Sequence, residues 1–146
     1  KRLTVRRLEM GAMSVGVAER ALRMMCEHTE QRETFGAKLS DRQAIQWWIA
    51  DAAIRIHATR LMVMDAARKQ DQGDDIRTEA SMVKVFATDM ATEIVDQAMQ
   101  SFGAMGMTRE LPLSLMAQNL RLARIGEGPT EVHRMLIARR TLQKFS

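Results

Sequence analysis

The sequence predicts an all-α fold, an antiparallel four-helix bundle with a short extra helix. Three observations carry this reading. Apolar residues recur at three-, four- and seven-residue spacings along most of the 146 residues, the period of a helix with one buried face. No run alternates apolar and polar residues for long enough to make a strand. Only two prolines occur, Pro112 and Pro129, both late in the chain, so the long periodic stretches contain no strong helix breaker.

In the first segment Leu8, Val15 and Leu22 form one apolar line, with Gly11, Ala18 and Met25 beside it. Gly36 interrupts it. Ser40 reads as the N-cap of a second helix, with Gln43 three residues on as in a capping box. There Ile45, Ala52, Thr59 and Ala66 interleave with Ile49, Ile56 and Val63. Gly73 supplies a left-handed stop. Asp74 and Asp75 then lie where the N-terminal dipole of a third helix favours negative charge. That helix shows Ala80, Ala87 and Ile94 beside Ile76, Val83 and Met90, and Gly103 and Gly106 end it. A short helix is expected over residues 113–122, and Pro129 suits the first turn of a last one. The three long helices each run to about seven turns, and their short connections make antiparallel neighbours.

Composition narrows the function. Hydrophobic residues make up 46% and charged residues 27%, values of an ordinary globular domain. No apolar run approaches the roughly 18 residues of a membrane span, and no signal-peptide pattern is visible. The single Cys26 cannot form an internal disulfide, so the expectation is an intracellular protein. The net charge is +4, with Lys1, Arg2, Arg6 and Arg7 at the start. Two tryptophans, four phenylalanines and no tyrosine provide no stacking platform, which argues against a nucleic-acid partner. The chain begins without methionine and enters a helical pattern at once, so a segment of a longer protein is expected. The thirteen methionines read chiefly as fillers of gaps between helices.

Metal chemistry is not expected. A di-iron bundle wants Glu-x-x-His pairs, whereas the residues three before His28, His57 and His133 are Met25, Ile54 and Thr130. The lone cysteine and scattered histidines have no zinc spacing. Two features stand out against the pattern. Glu127 lies between Gly126 and Gly128, with Pro129 following, where helix building needs no carboxylate. Arg139 shares a helical line with Val132 and Leu142, and a charge on an apolar stripe needs a partner. An ion pair within the bundle and a ligand both answer that need.

Three blocks occur in order on these helices: Q-R-E-T-F-G-A-K-L-S-D-R-Q from Gln31, Q-S-F-G-A-M-G-M-T-R-E-L-P from Gln100, and I-G-E-G-P-T-E-V-H-R from Ile125. Together they resemble the C-terminal helical domain of the acyl-CoA dehydrogenases over essentially the whole chain, residues 1–146. The stretches A-E-R-A-L and G-E-G-P-T-E-V-H resemble the branch fused to kinase-like or phosphatase-like domains. The resemblance implies FAD-dependent oxidation of an acyl-CoA thioester to its trans-2-enoyl form. Glu127 matches the catalytic base, and partial desolvation beside an acyl chain would strengthen it. Its backbone N–H would help hold the thioester carbonyl. Some relatives carry the base just before the arginine that matches Arg7. Arg6 stands there and cannot serve.

The same resemblance implies that Arg32 and Thr34 hold the FAD pyrophosphate of a neighbouring subunit, with Phe35 packing beside them. Arg42, Gln43, Gln100, Gly103 and Ala104 match further FAD contacts, and Pro129 and Glu131 occupy flavin-side positions. Arg7, Gly128 and Arg139 match acyl-CoA-side positions. Departures are Ala104 for a glycine, Met107 for an aromatic residue, Gln118-Asn119 for an Arg-Asp pair, Pro129 for threonine and Glu131 for glutamine. The family's N-terminal helical and middle β domains are absent, so this segment alone is expected to be inactive. A homodimer or homotetramer is implied, with Trp47 and Trp48 serving an interface or the core. The implied electron acceptor is an electron-transferring flavoprotein. The implied compartment is the cytoplasm in a bacterium, or the mitochondrial or peroxisomal matrix in a eukaryote. A second reading is a non-catalytic helical scaffold that has lost flavin.

Overall fold

A computed structural model describes residues 2–146 and contains five α-helices: α1 (Arg2–Gln31), α2 (Gln43–Asp71), α3 (Arg77–Phe102), α4 (Leu113–Ile125) and α5 (Thr130–Phe145). The predicted bundle is what forms, with three long helices and two shorter ones. Among the described residues no helix is long and apolar enough to cross a membrane. The α4 helix runs three residues beyond the expected stretch, to Ile125.

The α3 helix is central and packs against each of the other four. Its buried residues, among them Ala80, Val83, Ala87, Met90, Ala91, Ile94 and Ala98, cover more than one face. The alanines let neighbouring helices approach closely. Buried hydroxyls on α3 bond back one turn, Ser81 Oγ to the Arg77 carbonyl (2.9 Å) and Thr88 Oγ1 to the Lys84 carbonyl (2.9 Å), so none is left without a partner. The main apolar cluster joins Val15, Ala18, Ala21 and Met25 of α1 to Ile94 and Val95 of α3 and Leu113 and Leu120 of α4. Asp89 ties two more helices to α3. It lies 2.6 Å from Arg134 of α5 and 3.0 Å from Arg124 Nε of α4. The Arg124 contact is a charge pair, not an aligned hydrogen bond.

Between α1 and α2 a minimal hairpin pairs β1 (Glu33–Thr34) with β2 (Ala37–Lys38), Thr34 opposite Ala37. The two-residue loop is Phe35-Gly36, with φ of 51° and 75°. Positive φ at both positions marks a primed hairpin turn. Strands of two residues are too short to leave an alternating signature, so the sequence showed only the glycine.

Several local expectations change. Ser40 is not the N-cap of α2. It falls within a 3₁₀ turn over Leu39–Asp41, and the cap position is Arg42, with no side-chain cap bond. The capping box with Gln43 is therefore absent, and the extra turn follows from the hairpin, whose Arg32 carbonyl accepts the Leu39 N–H (2.8 Å). Pro129 sits at the N-cap of α5, one residue before the first turn, with ψ of 152°. Core filling accounts for Met25, Met90 and Met116, but Met13, Met64, Met82, Met105, Met107 and Met135 are exposed. Trp47 is exposed while Trp48 packs on the core.

Two glycines give opposite expectations. A Cβ on Gly106 would lie 2.5 Å from the Met99 carbonyl oxygen, whereas one on Gly16, inside α1, meets nothing within 4 Å. Gly106→Ala should destabilise by about 1–3 kcal/mol. Gly16→Ala should stabilise by about 0.5–1 kcal/mol. Thermal unfolding of the two variants should shift Tm in opposite directions.

Candidate functional site

Glu127 occupies the four-residue connection between α4 and α5, residues 126–129. The α4 helix ends as Gly126 turns extended (ψ 154°), and the chain then enters the left-handed region at both Glu127 (φ 54°) and Gly128 (φ 100°). A glutamate with positive φ is uncommon, because its Cβ crowds the backbone. This turn sends the Glu127 carboxylate into a cleft of about 600 Å³. Met10, Met13, Leu122 and Ala123 make much of the wall, and Arg6, Glu9 and Asn119 supply the polar rim. Glu127 is partly exposed there, and its Oε1 lies 3.8 Å from Arg6 Nε. Arg6 also pairs with Glu9 at 2.9 Å. No protein group among the described residues accepts a hydrogen bond from the Glu127 N–H.

The backbone of this turn is gripped from inside the bundle. Arg7 Nε donates to the Glu127 carbonyl (3.3 Å). His133, 1% exposed, meets the same carbonyl through Nε2 (3.3 Å) and Ser81 Oγ through Nδ1 (3.0 Å). Burial first, then the Arg7 and Lys84 charges, push the His133 pKa down, so the ring is neutral near pH 7. A neutral ring facing a carbonyl with Nε2 carries its proton there, so Nδ1 is an acceptor and shares the single Ser81 hydroxyl proton with the Arg77 carbonyl. Lys84, fully buried, donates to the carbonyls of Arg124 (3.0 Å) and Gly128 (2.6 Å). Burial also lowers its pKa.

Neither Lys84 nor His133 is among the residues the sequence marks for this site. Nothing in a helical pattern marks a lysine whose partners are carbonyls 40 and 44 residues away.

A second cleft, of about 430 Å³, lies at the far end of α1. It brings together Arg32, Thr34, Gln100 and Gly103, with His28, Trp48 and Phe102 in its wall. His28 stacks on Phe102 with ring centroids 4.0 Å apart. Gly103 caps α3 with φ 62°. Arg42 does not line this cleft but braces it, since its guanidinium donates to the Thr34 carbonyl (2.5 Å). Phe35, at 102% relative exposure, projects from the hairpin tip, and Gln43 and Ala104 are also exposed.

Other expected residues lie outside both clefts. Pro129 and Glu131 begin α5 and line neither. The Glu131 carboxyl is held below the usual range, chiefly by its own backbone N–H. Arg139 is exposed, as are Val132 and Leu142. Their shared line is therefore a surface stripe, and the ion pair expected of a buried charge is not needed. Among the described residues no three His, Cys, Asp or Glu side chains gather as a metal site would require.

The two clefts stand far apart. The α1 helix runs unbroken from Arg7, beside Glu127, to Gln31, beside Arg32, a length of roughly 36 Å at the helical rise of about 1.5 Å per residue.

Comparison with known proteins agrees with this architecture. Residues 1–142 match the model of the family described as acyl-CoA dehydrogenase, C-terminal domain. The chain is 43% identical over 142 residues to (R)-benzylsuccinyl-CoA dehydrogenase of Thauera aromatica, covering 97% of this chain and 35% of that protein. It superposes on butyryl-CoA dehydrogenase of Megasphaera elsdenii with a TM-score of 0.91 and 32% identity, covering 96% of this chain and 37% of that one. A structure of PigA with FAD and proline gives a TM-score of 0.90 at 29% identity, over 95% of this chain and 36% of that one. The chain thus spans about a third of the length of the relatives it matches. With the family model matched across 142 consecutive residues and the bundle reproduced, this chain belongs to the acyl-CoA dehydrogenase C-terminal domain family.

Proposed function

We propose that this chain is the C-terminal domain of an FAD-dependent acyl-CoA dehydrogenase and that Glu127 is its catalytic base. The observation that carries the reading is the Glu127 turn, a carboxylate delivered in left-handed backbone to an apolar-walled cleft. In the reaction Glu127 takes the α-proton of the acyl thioester as the β-hydrogen departs with its electron pair. The Glu127 N–H, which has no protein acceptor among the described residues, would donate to the thioester oxygen. That donor would stabilise enolate-like charge as the proton leaves. The apolar wall formed by Met10, Met13 and Leu122 suits an acyl chain, whose binding would displace water from the partly exposed carboxylate. Bound FAD would supply the hydride acceptor.

The second cleft fits a dinucleotide by its donor set. The exposed Arg32 guanidinium and the Gln100 amide suit a pyrophosphate, and the bare Gly103 backbone allows close approach. Phe35 offers an unpartnered apolar face beside them. One extended dinucleotide cannot reach from this cleft to substrate at Glu127 of the same chain across roughly 36 Å of α1. The reading is therefore a site shared between copies, with Arg32, Thr34 and Gln100 serving the FAD used by a neighbour's Glu127. A homodimer or homotetramer follows from that sharing. An electron-transferring flavoprotein is the electron acceptor consistent with this chemistry.

Glu127→Gln in the full-length protein should retain FAD yet slow flavin bleaching by at least about 100-fold. The check is anaerobic stopped-flow absorbance with butyryl-CoA and (R)-benzylsuccinyl-CoA, and undiminished bleaching removes Glu127 from the mechanism. Arg32→Ala should weaken FAD retention by about tenfold or more, the effect of losing a charge-assisted hydrogen bond. Equilibrium dialysis of FAD measures this, and unchanged retention removes Arg32 from the cofactor site. A full-length protein that assembles but binds no FAD would instead support the non-catalytic scaffold.

A further inference from the structure

We infer that Lys84 is a positioning residue for Glu127, acting with His133 to lock the connection between α4 and α5 in its left-handed form. This rests on the reading of Glu127 as the base. Lysine is among the residues least often buried completely, yet Lys84, about two turns into α3, is 0% exposed. Asp89 and Glu131 act on it only at longer range. Its hydrogen-bond acceptors are two backbone carbonyls, Arg124 O and Gly128 O, which bracket Glu127 on either side.

The chemistry of those acceptors explains the cation. Arg124 lies in the last turn of α4, where carbonyls lack intrahelical partners and carry the negative end of the helix dipole. Gly128 follows in left-handed backbone (φ 100°), and its carbonyl faces inward to Lys84. One ammonium therefore joins the end of α4 to the residue after Glu127 and fixes the span between them. A purely structural need for filled space would be met as well by an apolar side chain.

His133 completes the grip. It holds the intervening Glu127 carbonyl, and its own ring is oriented by Ser81, one turn before Lys84 on α3. A Cβ on Gly128 would come within 3.2 Å of His133 Nε2, so the imidazole also closes the space into which the turn would relax. Left-handed backbone at a residue other than glycine persists only where its surroundings over-determine it. Here α1, α3 and α5 each contribute a donor, through Arg7, Lys84 and His133. With the three carbonyls at 124, 127 and 128 held inward, the Glu127 side chain has one exit, towards the cleft.

The test uses the full-length FAD-loaded protein and four variants: Lys84→Met, Lys84→Arg, His133→Leu and His133→Gln. Two readouts are taken on each. Hydrogen exchange of the 124–130 amides reports the turn itself, with FAD content and exchange elsewhere in α3 as the folding control. The limiting rate of flavin bleaching and its half-saturation, with butyryl-CoA or (R)-benzylsuccinyl-CoA, report the consequence. Lys84→Met should keep FAD and raise exchange in 124–130 selectively, by about tenfold or more. Its limiting rate should fall about 100-fold while half-saturation stays near wild type, as expected for a misplaced reacting group. His133→Gln, which keeps a donor, should recover most of the rate that His133→Leu loses.

Wild-type exchange and rate in Lys84→Met would overturn the proposal. So would exchange rising equally throughout α3, which would make Lys84 a stability element only. If Lys84→Met fails to load FAD, His133→Leu and its rescue by Gln decide by the same criteria. Failure of the functional reading looks different. Glu127→Gln would then bleach normally while Lys84→Met still loosened the turn.

Discussion

The packing of α3 against all four other helices constrains much else in this domain. On its buried faces such a helix cannot dispose of polar groups into water, so each residue there must be small, apolar or internally bonded. The alanines at 80, 87, 91 and 98 satisfy the first condition, and Ser81 and Thr88 satisfy the last by bonding to α3 carbonyls. Lys84 is the demanding case. An ammonium ion in the middle of such a helix costs several kcal/mol of solvation unless it finds strong acceptors. The acceptors it finds belong to the turn bearing Glu127. The most heavily packed helix and the left-handed turn at Glu127 are thus one mechanical unit.

Rigidity and reach are divided between the two ends of the bundle. At the Glu127 end the backbone is restrained by donors from three helices. At the other end a two-residue hairpin and a 3₁₀ turn present Arg32, Thr34 and Phe35 with little behind them except the Arg42 brace. Restraint suits a group that must meet a reacting hydrogen within a fraction of an ångström. An exposed hairpin suits contact with a surface outside the chain. Its tip residue, Phe35, is fully exposed.

The membership of the family and the geometry support each other without being the same argument. Relatives with quite different acyl groups, and PigA bound to FAD and proline, share this bundle. The fold therefore does not select the substrate. What it does set in this chain is the spacing of two clefts, one holding the Glu127 carboxylate after α4 and one lined by Arg32, Thr34, Gln100 and Gly103, separated by the length of α1.

Much was readable from residues in order. Apolar periodicity reports which face of a helix is buried, so the helices and most core positions, such as Val15, Ile56 and Ile94, follow directly from spacing. Glu127 stood out because a carboxylate between glycines has no helical purpose. Local caps were less legible. Ser40 had the chemistry of an N-cap, but the hairpin before it imposed a 3₁₀ turn and moved the start of α2. Arg139 misled for a related reason, because a line of spacing on α5 looks apolar whether or not another helix covers it, and here none does. The grip of Lys84 and His133 on Glu127 was beyond any sequence pattern, because its partners are backbone carbonyls, and every residue has one. The sequence alone determined the helices, the family resemblance and the candidate base. Only the tertiary structure decided which carbonyls face the buried ammonium, because that depends on how α4 and α5 are set against α3.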